Sequence, residues 1–272
     1  MRFPIFTLGY VAATLMALAT SLAAPASADV LDDVKARGVL KVGGKSDYKP
    51  FGFRQPDGSL AGMSVDLARR VADRLGVRLE IVPTTAANQL QFLEQGRVDV
   101  LIAAMNDTPE RRKVVYIVEP GYYASGANLL AVASAGIRSW DDLKGKTVCA
   151  TQGAYFNRAV QQDYGAKVVA FKAPTEAYNA LRNGSCVGLV YDDNSLTQRL
   201  EDPEWAGYEM PLPSIQPQAV AMAVRLGETR FHDLLTEMSI DWYRSGEILK
   251  LEEKWFPGKR SSYVREMAEK YR

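Results

Sequence analysis

Between Val100 and Asn106 the chain reads Val-Leu-Ile-Ala-Ala-Met-Asn without a charge, and the next residues are Asp107-Thr-Pro-Glu-Arg-Arg-Lys113. A continuous apolar run that ends abruptly in polar residues and a proline reads as a buried strand giving way to a helix. Thr108 is placed to act as N-cap, Pro109 suits the first helical position, and Glu110 favours the positive end of the helix. Backbone N–H groups at a helix start attract anions. Arg111 adds a planar fork of donors that matches a carboxylate bidentately. This stretch therefore predicts a strand end that holds the carboxylate of a small ligand. The competing reading makes Arg111 and Arg112 ordinary solvated charges on a helix.

The segments around this strand alternate. Val39–Gly43 reads as a strand and 45–51 as a loop in which Pro50 excludes helix. Residues 63–75 have helical apolar spacing, with Ser64 as candidate cap and Gly76 as stop. Residues 77–82 are a strand and 88–94 a helix. The order strand, helix, strand, helix, strand implies a parallel sheet wound by right-handed crossovers. After an extended segment at 122–132 the alternation begins again: strand 147–151, helix 154–162, strand 168–171, helix 175–183, strand 186–191. Residues 219–224 are extended, and amphipathic helices at 232–245 and 247–256 follow. Two such series predict an α/β chain of two lobes, lobe 1 from 29–126 with 222–272 and lobe 2 from 130–218. The hinge segments fall at about 127–129 and 219–221. A cleft between lobes, beyond the strand carboxyl ends, is where ligands usually bind.

Composition narrows the function. Of 272 residues, 33 are basic and 32 acidic, for a net charge of +1; no basic surplus points to nucleic acid or to an anionic membrane surface. Residues 1–28 read as a secretory signal. Arg2 precedes an apolar stretch from Ile5 to Leu22, and Ala26-Ser-Ala28 fits a small-x-small cleavage site. An uncleaved membrane span is the alternative, since the stretch is long enough to cross a bilayer. Export implies an oxidising compartment, in which the pair Cys149 and Cys186 is expected to form a disulfide between neighbouring strand-like runs. Two cysteines and the single His232 show no ligand spacing for a metal, and no motif calls for a cofactor.

Taken together, Leu40–Gly43, Tyr48-Lys-Pro-Phe51, Leu60–Ala68, Gly96–Val100, Asn106–Arg111, Tyr122–Gly126, Leu143–Val148, Asn183–Cys186 with Asp192, and Gly246–Phe256 resemble the periplasmic solute-binding proteins of polar amino-acid ABC importers. Their order and spacing cover nearly the whole exported chain. The resemblance implies a two-lobed periplasmic binding protein fold, each lobe a wound, mostly parallel sheet, joined by two hinge strands. It implies that Arg111 clamps the α-carboxylate of an amino-acid-like ligand and that Asp192 receives the α-ammonium. Asn106 supplies a side-chain and backbone contact, Ala104 a backbone carbonyl, and Tyr48 a stacking ring. Thr151–Tyr155, with Gly153 and Ala154, provides a further N–H. It also implies a monomer in the periplasm that delivers its ligand to an ABC transporter permease in the inner membrane.

Opposite charges on two lobes suit a zwitterion, because only closure satisfies both of its ends. Other readings stand beside these: Asp192 as N-cap of a helix over 194–200, Tyr48 as plain packing, and Lys45 as a solvated lysine. Where the family often has a hydroxyl, this chain has Ala154 and Tyr155, and Ala86 replaces a second ring. By the same resemblance Lys45 sits where binders of cationic amino acids tend to carry an acid and some binders of acidic ones an arginine; lysine there would repel a cationic side chain and attract an anionic one, which tilts the reading toward an acidic or neutral polar ligand. An enzyme on the same fold, resembling cyclohexadienyl dehydratase, is the main alternative. It needs a general acid in the cleft, for which Glu119 and Glu176 are candidates. A sensor module for a membrane partner is a further one.

Overall fold

The computed structural model describes residues 29–272; the segment read as a signal, 1–28, lies outside the described residues. Strand Val100–Asn106 is buried at every position, as its uncharged sequence requires. Strand Val39–Gly44 lies parallel to it, with Val42 opposite Val100. Strand Arg78–Pro83 lies parallel beyond that. Helix Met63–Leu75 covers this sheet with Leu67, Ala68, Val71 and Ala72. The second series repeats the pattern: strands Thr147–Thr151, Lys167–Phe171 and Leu189–Asp192 pair in parallel.

Two long antiparallel strands, Tyr123–Val132 and Ile215–Arg225, join the two series. The first pairs with the second up to Ala127 and with Leu189–Asp192 from there on. The second pairs with Tyr123–Val132 up to Val220, and from Val220 onward with Val100–Asn106. Hydrogen bonding thus passes unbroken from one lobe's sheet into the other's. The carboxyl ends of strands from both lobes face one cleft. Among the described residues no helix is long and apolar enough to cross a membrane.

Segments far apart in sequence meet to position the loop at 45–51. Phe51 and Phe256 are fully buried. Their rings lie 5.4 Å apart, and Tyr123 stacks on Phe256 at 4.3 Å. Asp66 accepts from Lys254 Nζ at 2.7 Å and from Trp255 Nε1 at 2.8 Å, so the C-terminal helices are tied to the first lobe. Asp99 accepts from Arg37 and from the Lys41 N–H, which fixes the amino end of strand Val100–Asn106.

Three local expectations change. Gly62, not Ser64, precedes helix Met63–Leu75. A Cβ at Gly62 would sit 2.2 Å from the Phe51 carbonyl oxygen, at a φ of 132°, so only glycine fits there. Ser64 is buried in the first turn, with its hydroxyl 3.0 Å from the Tyr122 hydroxyl. The helix expected from residue 154 begins at Asn157, because the chain first turns through Gly153 at a φ of 76°. The strand expected from Cys186 begins at Leu189.

Cys149, on strand Thr147–Thr151, is bonded to Cys186 in the turn before Leu189, with their Cα atoms 5.7 Å apart. The bridge closes a sequence separation of 37 residues, so chain entropy assigns it roughly 3–4 kcal/mol. Replacing both cysteines by serine is expected to lower the unfolding free energy by about that amount while leaving ligand affinity unchanged, as checked by urea unfolding and titration calorimetry.

Candidate functional site

The residues that follow strand Val100–Asn106 build one wall of the cleft. Thr108 caps the short helix Pro109–Arg112, with its hydroxyl accepting from the Arg111 N–H at 3.3 Å. The cap turns the Arg111 side chain back toward the strand end, where Nη1 donates to the Asn106 carbonyl at 2.7 Å. Arg111 is only 8% exposed. Burial lowers its pKa, with Tyr155, Asp107 and Tyr48 acting the other way, and a guanidinium stays charged regardless. Among the described residues it forms no ion pair, so most of its donor fork is open to an anion. Arg112 does what the competing reading expected: it is half-exposed and pairs with Asp107 and Glu119.

Two residues upstream of Asn106, Ala104 has a φ of 50°. A non-glycine residue in the left-handed region costs about 1–2 kcal/mol and needs support. Tyr122 supplies it: its buried hydroxyl accepts from the Ala104 N–H at 3.0 Å. The ladder to Ile215–Arg225 also shifts register here, between Ala221 and Ala223. The backbone at Ala104 is therefore taken out of regular pairing at the cavity wall.

Asp192 ends strand Leu189–Asp192 on the opposite side. Its Oδ1 accepts from the Asn194 and Ser195 N–H groups, both at 3.1 Å, and so caps helix Asp193–Leu200. The same carboxylate lines the cavity. The two readings of this residue are thus compatible. Burial, helped by neighbouring Asp193, pushes its pKa up to about 7; Ser125, the Ser195 N–H and Tyr48 act the other way. Among the described residues it has no cationic partner.

Lys45, Tyr48, Ala104, Asn106, Arg111, Ala154 and Asp192 all line one cavity. Asn106 Nδ2 donates to Ser125 Oγ at 3.0 Å. Tyr48 is buried with its ring 5.5 Å from that of Tyr191. Lys45 is half-buried. Desolvation brings its pKa down to about 7, Asp47 opposing and Arg111 reinforcing the fall.

Gly153 stands apart from this group. A Cβ there would lie 2.6 Å from the Ala87 nitrogen, so Gly153 sits where a loop of one lobe meets a loop of the other. The lobes also touch where Ser195 Oγ donates to the Lys49 carbonyl at 2.9 Å.

Several lining residues were not among the candidates, Gln89, Asp47 and Lys172 among them. Gln89 is 1% exposed, and its buried Oε1 has no partner. Its sequence signal was available: it lies four residues before buried Leu93 on the same helix, a polar group on an apolar stripe. Glu119 and Glu176 do not line the cavity. Glu119 pairs with Arg112, and Glu176 accepts from the N–H groups at the start of its own helix. Among the described residues no cluster of acidic, histidine or cysteine side chains is arranged for a metal.

Residues 40–258 match the family described as bacterial extracellular solute-binding proteins, family 3, and the chain belongs to that family. Within it, the chain is 29% identical over 249 residues to the L-cystine-binding protein TcyJ of Escherichia coli, covering 89% of this chain and 92% of that protein. In three dimensions it resembles the substrate binding protein of an amino acid ABC transporter (TM-score 0.75, 29% identity, 80% of this chain and 99% of that one). It is similar too to AncCDT-1, an ancestral amino acid-binding protein and precursor of cyclohexadienyl dehydratase (TM-score 0.77, 28% identity, 83% and 99%).

The raised Asp192 pKa has a thermodynamic sign. The folded state holds this proton up to about 7, whereas the unfolded chain loses it near 3.8; stability therefore falls as pH rises between those values. Asparagine caps a helix as well as aspartate does and carries no charge. Ligand-free Asp192→Asn is expected to be at least as stable as wild type at pH 8, with the margin shrinking toward pH 4. Asp192→Ala is expected to lose about 1 kcal/mol relative to the asparagine variant. Denaturant unfolding at the two pH values checks both.

Proposed function

We propose that the cavity binds a small α-amino acid by closure of the two lobes, for delivery to an ABC importer. The observation that carries this is the pair Arg111 and Asp192. They have opposite charge, both are buried on the walls of one cavity, and neither is ion-paired among the described residues. A buried charge without a partner is costly. A zwitterion satisfies both, its carboxylate on Arg111 and its ammonium on Asp192. Ala104 and Asn106 add polar contacts at the strand end, Tyr48 a ring, and Ala154 backbone at the second-lobe loop.

The lobes follow the same reading: 29–126 with 222–272, and 130–218, turning about 127–129 and 219–221. The change of strand partner at Ala127 and at Val220 supports those hinges. Because each charge sits on a different lobe, the ligand binds the closed form with more contacts than the open one, and that difference drives closure. The family and the amino-acid-binding relatives support export to the periplasm and an ABC transporter as partner; on this reading the chain acts as a monomer that meets a permease in the inner membrane. Binding without turnover is the reading favoured over a dehydratase, since neither Glu119 nor Glu176 reaches the cavity.

Truncating one member of a buried, ligand-paired charge set costs about 2–5 kcal/mol. Arg111→Ala is therefore expected to weaken amino-acid binding at least about 30-fold, with Arg111→Lys in between because a point charge replaces the fork. Titration calorimetry against a panel of the common L-amino acids checks this. Absence of any binding, or wild-type affinity in Arg111→Ala, contradicts the proposal.

A further inference from the structure

Among the described residues two that are not glycine have a positive φ, Ala104 at 50° and Gln216 at 49°. Each lies on a strand at a point where its ladder shifts register, and each is held by a tyrosine hydroxyl. Tyr122 takes the Ala104 N–H, and Tyr155 OH donates to the Gln216 carbonyl at 2.7 Å. Around Gln216 the three steps from Ile215 to Gln218 face only two on the neighbouring strand, from Ala127 to Ser125. The extra residue bulges, and Pro217 has no N–H to return to the ladder. The bulge lies just before Val220, where strand Ile215–Arg225 changes partner. A left-handed backbone is unfavourable for any residue with a Cβ. The Gln216 side chain is exposed, so its own packing does not hold the conformation, and Tyr155 is the brace.

Tyr155 is also a wall of the ligand cavity. With Arg111 it lines a second hollow as well, whose wall includes Gln216 and Gln218. One side chain thus reaches from the ligand space to the strained residue. Its hydroxyl also lies 3.5 Å from the Ser125 carbonyl, on the other strand that joins the lobes. The neighbours of Asp192 grip that other strand too: Asp193 accepts from the Gly126 N–H and Asn194 donates to the Ala124 carbonyl, both at 3.1 Å. From this arrangement, resting on the lobe-closure reading above, we infer that Tyr155 is a positioning residue whose hydroxyl holds the bend at Gln216 that the closed form requires. A ligand beside the ring keeps the phenol against the strand, and the phenol keeps the strand bent. With the cavity empty the ring is free to turn, and Gln216 relaxes toward ordinary extended backbone, which straightens the strand at the hinge.

The test is titration calorimetry, with urea unfolding alongside, on wild type, Tyr155→Phe, Gln216→Gly and the two changes together. Each is the exported chain, unfolded and refolded to strip endogenous ligand. The probes are the common L-amino acids and L-cystine, and the one that wild type binds tightest is carried through the series. Tyr155→Phe keeps the ring and removes only the hydroxyl. Loss of that one hydrogen bond is expected to weaken binding about three- to tenfold. Glycine adopts a positive φ without strain, so a chain with Gln216→Gly needs no brace. Adding Tyr155→Phe to it is expected to change affinity by less than about twofold. A hydroxyl that served stability alone would move the urea midpoint and leave affinity where it was. Wild-type affinity in Tyr155→Phe overturns the inference. So does an equal loss in both backgrounds, which would make the hydroxyl a direct ligand contact. Either result leaves the amino-acid reading in place, whereas failure of wild type to bind any probe removes that reading and the inference with it.

Discussion

The structure depends on a guanidinium placed where water is scarce. Arg111 stands at the end of a fully buried strand, held by a single hydrogen bond to the Asn106 carbonyl. A fold bears such a charge only if it is positioned firmly and later matched. Positioning is local: the Thr108 cap and Pro109 set the helix, and the helix sets the side chain. The charge proposed to complement it through the ligand, Asp192, lies across the cavity at the start of helix Asp193–Leu200. Each partner is thus preorganised by a helix terminus within its own lobe, and neither needs the other to adopt its conformation.

The connection between lobes turns this separation into a mechanism. The strands Tyr123–Val132 and Ile215–Arg225 each change partner part-way along. On the proposed reading each lobe keeps its own sheet and helices while the shared strands bend. The contacts between the lobes include the hydrogen bond of Ser195 to Lys49, the ion pair of Lys259 with Glu201, the Tyr48 ring against that of Tyr191, and the approach of Gly153 to Ala87. Polar contacts that water can replace are worth about 0.5–1.5 kcal/mol each. On the proposed reading, the ligand's pairing of two desolvated charges adds the gain that decides the balance.

Much of this was legible in the sequence because it is local. The uncharged strand, the Thr108 cap, the proline and the paired arginine are written within fourteen consecutive residues, 100–113. The alternation of strand and helix set the fold class, and the paired cysteines found each other. What failed to show was set by tertiary contact. Nothing in Val-Leu-Ile-Ala-Ala-Met marks Ala104 for a positive φ; the Tyr122 hydroxyl and a shift in ladder register impose it. Ser64 has the chemistry of a cap, but Tyr122 claims its hydroxyl and the Phe51 carbonyl leaves room only for glycine at residue 62. Asp192 was read as either cap or ligand contact. The two oxygens of one carboxylate make that choice unnecessary.

The account requires that the ligand bring the lobes together. Spin labels at Gln95 and Asn183, exposed positions on the two lobes, allow the inter-lobe distance to be measured by pulsed dipolar spectroscopy with and without a saturating amino acid. The account predicts a broad, longer distribution in the ligand-free protein that collapses to one shorter distance on binding. An unchanged distribution in the presence of a ligand shown to be bound would contradict it.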